Sequence, residues 1–214
     1  YTLADTLSLH DALPICAIFH YIIHNYFFLH YGIVRSKLHK MNRLEDLNDT
    51  QAELMAKGLL CSKEVAKEKL RKIVYDGLKK YFKRIKCYDN VPETFEKFKN
   101  AGFKLALLSD FPPEQKGEIW GVKKYCDVVL GTEQLGALKP DPYSFLEMAK
   151  MLNVEPSKIL YVGNSKKYDV AGSHNAGMKC AYLVPFRKRL FKKFIKEPEI
   201  CFSNYRQLQD IVLQ

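Results

Sequence analysis

Residues 159–178 read Ile159-Leu160-Tyr161-Val162-Gly163-Asn164-Ser165-Lys166-Lys167-Tyr168-Asp169, then VAGSHNAGM to Met178, and this stretch decides the fold. Lys158–Val162 reads as a short apolar strand. Gly163 lets the chain leave it sharply, and Lys166–Ala176 reads as the helix that follows. The same rhythm extends in both directions. Downstream come strands at Lys179–Val184 and Glu199–Phe202 and a helix at Tyr205–Leu213. Upstream lie a helix at Pro142–Leu152, strands at Val128–Leu130 and Phe103–Leu108, and a helix that Pro92 opens and Gly102 ends after Ala101. Strands alternating with helices mean βαβ units and a parallel, Rossmann-like sheet. In such sheets ligands bind beyond the carboxyl ends of the strands, which directs attention to the residues just after each one.

Before about Cys87 the pattern is helical only. One helix is expected from Cys16 to Tyr31, stopping at Gly32, and a second from Leu44 to Ala56, ending at Gly58. A third follows Ser62, with Val65, Leu70, Ile73, Val74 and Leu78 on one face. The chain therefore divides into an all-helical part, 16–86, and an α/β part, 87–214. Ile15–Val34 is greasy enough to suggest a membrane span, but it carries His20, His24, Asn25 and His30, which a lipid-facing helix bears only at considerable cost. A buried, aromatic-rich soluble helix is expected instead.

Three strand ends carry chemistry. Ser109 and Asp110 follow FKLALL, where a hydroxyl at a strand tip can donate to a phosphate oxygen; a plain strand-ending serine is the competing reading. Lys139 precedes Pro140-Asp141-Pro142, a stiffened loop that suits a lysine neutralising a transferring phosphoryl group. Asn164 and Asp169 offer the hard oxygen ligands that magnesium takes, while Asp169 could equally cap its helix.

Composition sets the limits. The 214 residues are 47% hydrophobic, enough for one packed core with a small insertion, and the net charge of +10 favours anionic partners. Most of the lysines sit in helical-looking stretches such as Lys63–Lys86, so a solvated helix face is expected rather than nucleic-acid binding. The cluster Arg187, Lys188, Arg189, Lys192, Lys193 and Lys196 reads as a solvated basic loop that attracts anions; lying on an acidic membrane surface is its alternative. His20 and His24, spaced i, i+4 near His30, lack a third ligand and read as structural rather than metal-binding. Six cysteines without a CxxC pair argue against zinc and against a disulfide framework, and no signal-peptide pattern is seen, so a reducing cytosol is expected.

Taken in order, LLSD (Ser109), GALKPDPYSF (Lys139) and ILYVGNSKKYDVAGSHNAGM (Asn164, Asp169) resemble motifs two, three and four of the haloacid dehalogenase (HAD) superfamily, with fitting spacing. PEICFSNYRQLQDIV resembles that family's last strand and helix. The resemblance covers about Asn90 to Leu213, and the helical part resembles the family's C1-type cap. It implies a Mg2+-dependent phosphatase acting on a small phosphorylated metabolite through an aspartyl-phosphate. The nucleophile would be the first aspartate of a DxDGT-like motif on the first strand, with the second aspartate as acid and base. Ser109 and Asp110 would bind and orient the phosphoryl group, Lys139 would hold it to the nucleophile, and Asp169 with Asn164 would hold the metal. Phosphomutase, dehalogenase and non-catalytic scaffold roles are the alternatives.

Two departures qualify this expectation. No apolar strand followed by DxD precedes the helices, Asp5-Thr6-Leu7 being only an echo of one, and Asn164 stands where many members have aspartate. In addition, Thr6–Ile15, TLSLHDALPI, looks like a translated sequencing adapter, and residues 1–15 are set aside as an artefact. The first core strand is therefore expected to be missing, and the chain as written to be poorly stable and inactive.

Overall fold

In the computed structural model, residues 15–184 and 198–214 are described, residues 15–24 as helical backbone without side chains. Helix α1 (Ile15–Leu38) runs past Gly32 rather than stopping there. Phe27, Tyr31, Val34 and Leu38 stay on one buried face across that position, and their packing outweighs the roughly 1 kcal/mol that a helical glycine costs. Helix α2 (Leu47–Leu59) is capped by Asp46, which accepts from Asp49 N at 2.8 Å. Gly58 lies inside α2, where a Cβ would sit 1.6 Å from the His30 ring. It marks the close approach of two helices rather than a helix end, which comes instead at left-handed Leu60 (φ 51°).

Ser62 caps α3 (Lys63–Lys69) as expected, accepting from Val65 N at 3.3 Å. The helix then widens into a π turn at Leu70–Asp76 and resumes as α4 (Gly77–Phe82). Helices α1 to α3 and the π turn share one apolar cluster, in which Phe27, Val34, Met55, Leu70 and Val74 meet Leu138 from the α/β part.

The remainder alternates. Helix α5 (Val91–Asn100) precedes β1 (Ala106–Ser109), which pairs with β2 (Val128–Gly131). Helix α6 (Pro142–Leu152) leads to β3 (Leu160–Gly163), a π turn (Lys166–Val170) and α7 (Ala171–Asn175). Strands β4 (Lys179–Leu183) and β5 (Ile200–Phe202) and helix α8 (Tyr205–Val212) complete the order. Strand β1 is shorter than the expected Phe103–Leu108 because the half-exposed Phe103 packs edge-on against Phe98 of α5 instead of entering the sheet.

Every described strand pair is parallel, giving the Rossmann-like α/β architecture read from the sequence. The strands form two sheets, β1-β2 and β3-β4-β5, and no described strand joins β1 to β3. Side chains nevertheless bridge them. Phe145 of α6 packs on Tyr161 of β3, in a cluster that also takes Val128, with Leu108 and Leu130 packed against it. The carboxyl ends of β1, β2 and β3 converge on Lys139 through Asp110, Thr132 and Asp169. No described helix is long and apolar enough to cross a membrane.

Candidate active site

Lys139 is held from both sides. Its loop begins at Gly136, whose left-handed φ of 76° a side chain would strain. A Cβ there would also lie 2.1 Å from the Leu44 carbonyl, whose own amide donates to Gly136 O at 2.8 Å. The peptide to Pro140 is cis. His39, just past the end of α1, binds the Lys139 carbonyl through Nδ1. Since a carbonyl only accepts, Nδ1 carries the proton. The His39 ring also stacks on Tyr168, with centroids 4.3 Å apart.

The Lys139 ammonium lies 2.9 Å from Asp169 Oδ1, 3.5 Å from the Tyr161 hydroxyl and 4.0 Å from Asp110 Oδ2. Burial favours loss of its proton, but Tyr161, Asp110 and Asp169 outweigh burial and hold Lys139 above the ordinary lysine range. At neutral pH it is a fixed cation between two carboxylates.

Both oxygens of Asp169 are engaged. Ser165 is the helix cap, accepting from Tyr168 N at 3.3 Å. Asp169 Oδ2 reaches back to the amides of Asn164 (3.0 Å) and Ser165 (2.9 Å), in the manner of a capping box, while Oδ1 faces Lys139. Gly163 proves to be a matter of space rather than of turn geometry, because a Cβ there would come within 2.3 Å of Asp169 Cβ. Asn164 is exposed, and its hydrogen bond to Asp169 is made by the backbone.

At the tip of β1, Ser109 Oγ accepts from Phe111 N at 3.1 Å and from Lys116 Nζ at 2.8 Å. With both lone pairs engaged, the hydroxyl proton is left to donate to another acceptor. Asp110 Oδ1 accepts from Thr132 Oγ1 at 2.8 Å and from Lys139 N at 3.3 Å. The structure thus gathers Ser109, Asp110, Lys139 and Asp169 into one constellation.

Behind it lies a buried network that the motif reading missed. Arg35 of α1 bonds Glu133, Gln51 (3.2 Å) and the Asp110 carbonyl (3.3 Å), and it lies over the Phe111 ring at 5.3 Å. Tyr75 donates to Glu133 at 3.0 Å and accepts from Gln51 at 2.8 Å. The available clue was an arginine in the buried stripe of an apolar helix, since a buried charge must find a partner. Lys116, Thr132 and Tyr161 carried no such clue.

Among the described residues no group of three His, Cys, Asp or Glu could hold a metal. Asp169 commits one oxygen to Lys139 and the other to two amides, and no second carboxylate stands beside Asn164. These residues do not by themselves make a magnesium site. His30 meets the Leu54 carbonyl at 3.4 Å and stacks on Tyr26, a structural role. The side chains of His20 and His24, residues 1–14, and the cluster Arg187–Lys196 lie outside what the structure describes.

The chain matches the family model described as haloacid dehalogenase-like hydrolase over residues 2–183, and it belongs to that family. It is 31% identical over 126 residues to a phosphoglycolate phosphatase of Aquifex aeolicus, covering 55% of this chain and 59% of that one. It is also 33% identical over 100 residues to a glyceraldehyde 3-phosphate phosphatase of Methanopyrus kandleri, covering 45% and 43%. The alignments thus span about half of these relatives' length. Among solved structures it resembles a HAD phosphatase from Thermococcus onnurineus (TM-score 0.56, 24% identity, 75% of this chain and 85% of that one). It also resembles a 2-haloacid dehalogenase from Pseudomonas syringae pv. Tomato DC3000 (TM-score 0.62, 18% identity, 95% and 82%). At these identities the likeness is one of fold.

Proposed function

We propose that this haloacid dehalogenase-like hydrolase is the phosphoryl-binding body of a phosphatase for a small phosphorylated metabolite, of the two- or three-carbon kind named among its relatives. The observation that carries this reading is the buried Lys139 ammonium beyond the tip of β2 and the Ser109 hydroxyl at the tip of the neighbouring strand β1. A phosphoryl oxygen seated between them gains a charge-assisted bond from a cation with little access to water. Helices α1 to α4 act as the cap that limits what else enters, with Arg35 fixing them to the carbonyl of Asp110.

Turnover needs a carboxylate free to attack phosphorus. Asp110 and Asp169 are both engaged, and no other described carboxylate stands at Lys139. The open side between β1 and β3 is where a strand bearing a nucleophile would fit. The described residues therefore bind a phosphoryl group without cleaving it. The metal dependence implied by the family finds no ready carboxylate at Asp169, whose two oxygens are both engaged. Free Cys61, Cys87 and Cys126 suit a reducing compartment such as the cytosol.

The test is to titrate the chain with orthophosphate by calorimetry, and separately to follow phosphate release from phosphoglycolate and glyceraldehyde 3-phosphate with magnesium present. Saturable binding without release is expected. Absence of binding contradicts the reading, and release would mean that the chain supplies its own nucleophile.

A further inference from the structure

Lys116 is a half-buried cation without a counter-ion. It ends the short turn Pro113–Lys116 that follows β1, and its Nζ lies over the Phe82 ring of α4, 5.6 Å from the centroid. Among the described residues, the one hydrogen bond its ammonium makes is to the neutral Ser109 Oγ, at 2.8 Å. No described carboxylate lies within ion-pair distance of it. Burial and the nearby positive Lys139 lower its proton affinity, with Asp110 opposing them. An ammonium withdrawn from water beside a second ammonium is costly unless an anion joins them. It also has a way out, because Lys116 lines a surface cleft with Phe82, Lys83 and Trp120.

We propose that Lys116 is a second anion-binding residue of this site, which shares an oxygen of the bound phosphoryl group with the Ser109 hydroxyl it already contacts. The inference rests on the phosphoryl-binding reading above and adds a residue to it. Two ammonium groups close enough to act on each other favour a dianion over a monoanion. The site accordingly takes phosphate monoesters in their doubly ionised form, and it discriminates against singly charged carboxylates of similar size.

Orthophosphate is the probe, with acetate as the monoanion control, and binding is read by calorimetry and by melting temperature. Lys116→Met keeps an apolar side chain of similar length and removes the charge. It should weaken orthophosphate binding about tenfold or more, as loss of one charge-assisted contact does. Without phosphate it should melt no lower than the parent, because a costly buried charge has gone. Lys116→Arg should restore most of the affinity. If Lys116→Met binds phosphate like the parent while Lys139→Met does not, this inference fails and the site reading survives. If the parent itself fails to bind phosphate, both fail. A Lys116→Met chain that melts well below the parent without phosphate would make the residue a structural prop and overturn the proposal.

Discussion

Lys139 Nζ and Asp169 Oδ1 meet at 2.9 Å although thirty residues separate them, and both side chains are almost wholly buried. Lys139 follows β2 and Asp169 follows β3, so the pair ties together two sheets that no described strand connects. The contact that readies the site for a phosphoryl group is also a fastener of the fold. A variant that breaks it changes both properties, and the two have to be measured apart.

Lys139→Met leaves the buried Asp169 carboxylate without a counter-ion, with only the Tyr161 hydroxyl and two backbone amides as donors. Breaking one side of a buried pair costs about 3–5 kcal/mol. Pairing the change with Asp169→Asn, which removes the stranded charge, should recover a substantial part. Urea denaturation of the two singles and the double variant closes the cycle. Simple additivity of the two losses would show that the pair is not coupled.

Glu133→Gln tests the join between the helices and the α/β part. It removes the charge facing Arg35, a guanidinium that burial disfavours and that Tyr31 and Glu133 hold protonated. A loss of about 3 kcal/mol is expected. It should be accompanied by faster amide exchange in α1 and α2, while α6 and β4 remain protected. Uniform acceleration across the chain would mean that the helices do not open separately.

His39 gives the fold a pH dependence. Burial above all, aided by Arg35 and Lys139, lowers its affinity for a proton; the Lys139 carbonyl and Asp110 act in the opposite sense. Above the ordinary histidine value of about 6.5 the ring is neutral whether the chain is folded or not, and its contribution is fully present. Below that value the unfolded chain takes the proton first, so stability is lost as pH falls through the folded value. The urea midpoint should therefore drop between pH 7.5 and 5.5 more in the parent than in His39→Gln. Equal drops would remove His39 from the account.

Gly163→Ala should be among the most harmful small changes available. The added methyl would press on Asp169 Cβ at 2.3 Å and Cγ at 2.6 Å, which forces the carboxylate off Lys139. A loss of about 2 kcal/mol or more is expected, as for other overpacking in a rigid site. Gly32→Ala, where a Cβ meets nothing within 4 Å, should be neutral or stabilising by up to about 1 kcal/mol. A reversed order would refute the packing argument.

The parallel strands and the residues at the tips of β1 and β3 were legible from residues 103–178 because short apolar runs ending before Ser109 and Gly163 leave few other readings; that the strands fall into two sheets was not. Asp169 carried two readings, metal ligand and helix cap; in the structure its Oδ2 accepts from two amides at the start of the helix and its Oδ1 pairs with Lys139. Glycine misled twice. Gly32 and Gly58 look like helix ends, yet both lie inside helices, since buried faces and close helix crossings are set by residues distant in sequence. Arg35, Glu133 and Lys116 escaped for the same reason. Their roles depend on contacts across 98 residues for Arg35 to Glu133, and on a turn whose shape no local pattern predicts for Lys116.

The most direct measurement is a two-dimensional amide NMR spectrum of the chain recorded as orthophosphate is added. The account predicts that the shifts gather at Ser109, Asp110, Lys139 and the Asn164–Asp169 turn, and that they saturate together. With a net charge of +10, the contrary outcome is simple to recognise: weak, unsaturable shifts spread over the basic helices between Lys63 and Lys86. That result would make the phosphate affinity a property of surface charge and would contradict the assignment of a site at the strand tips.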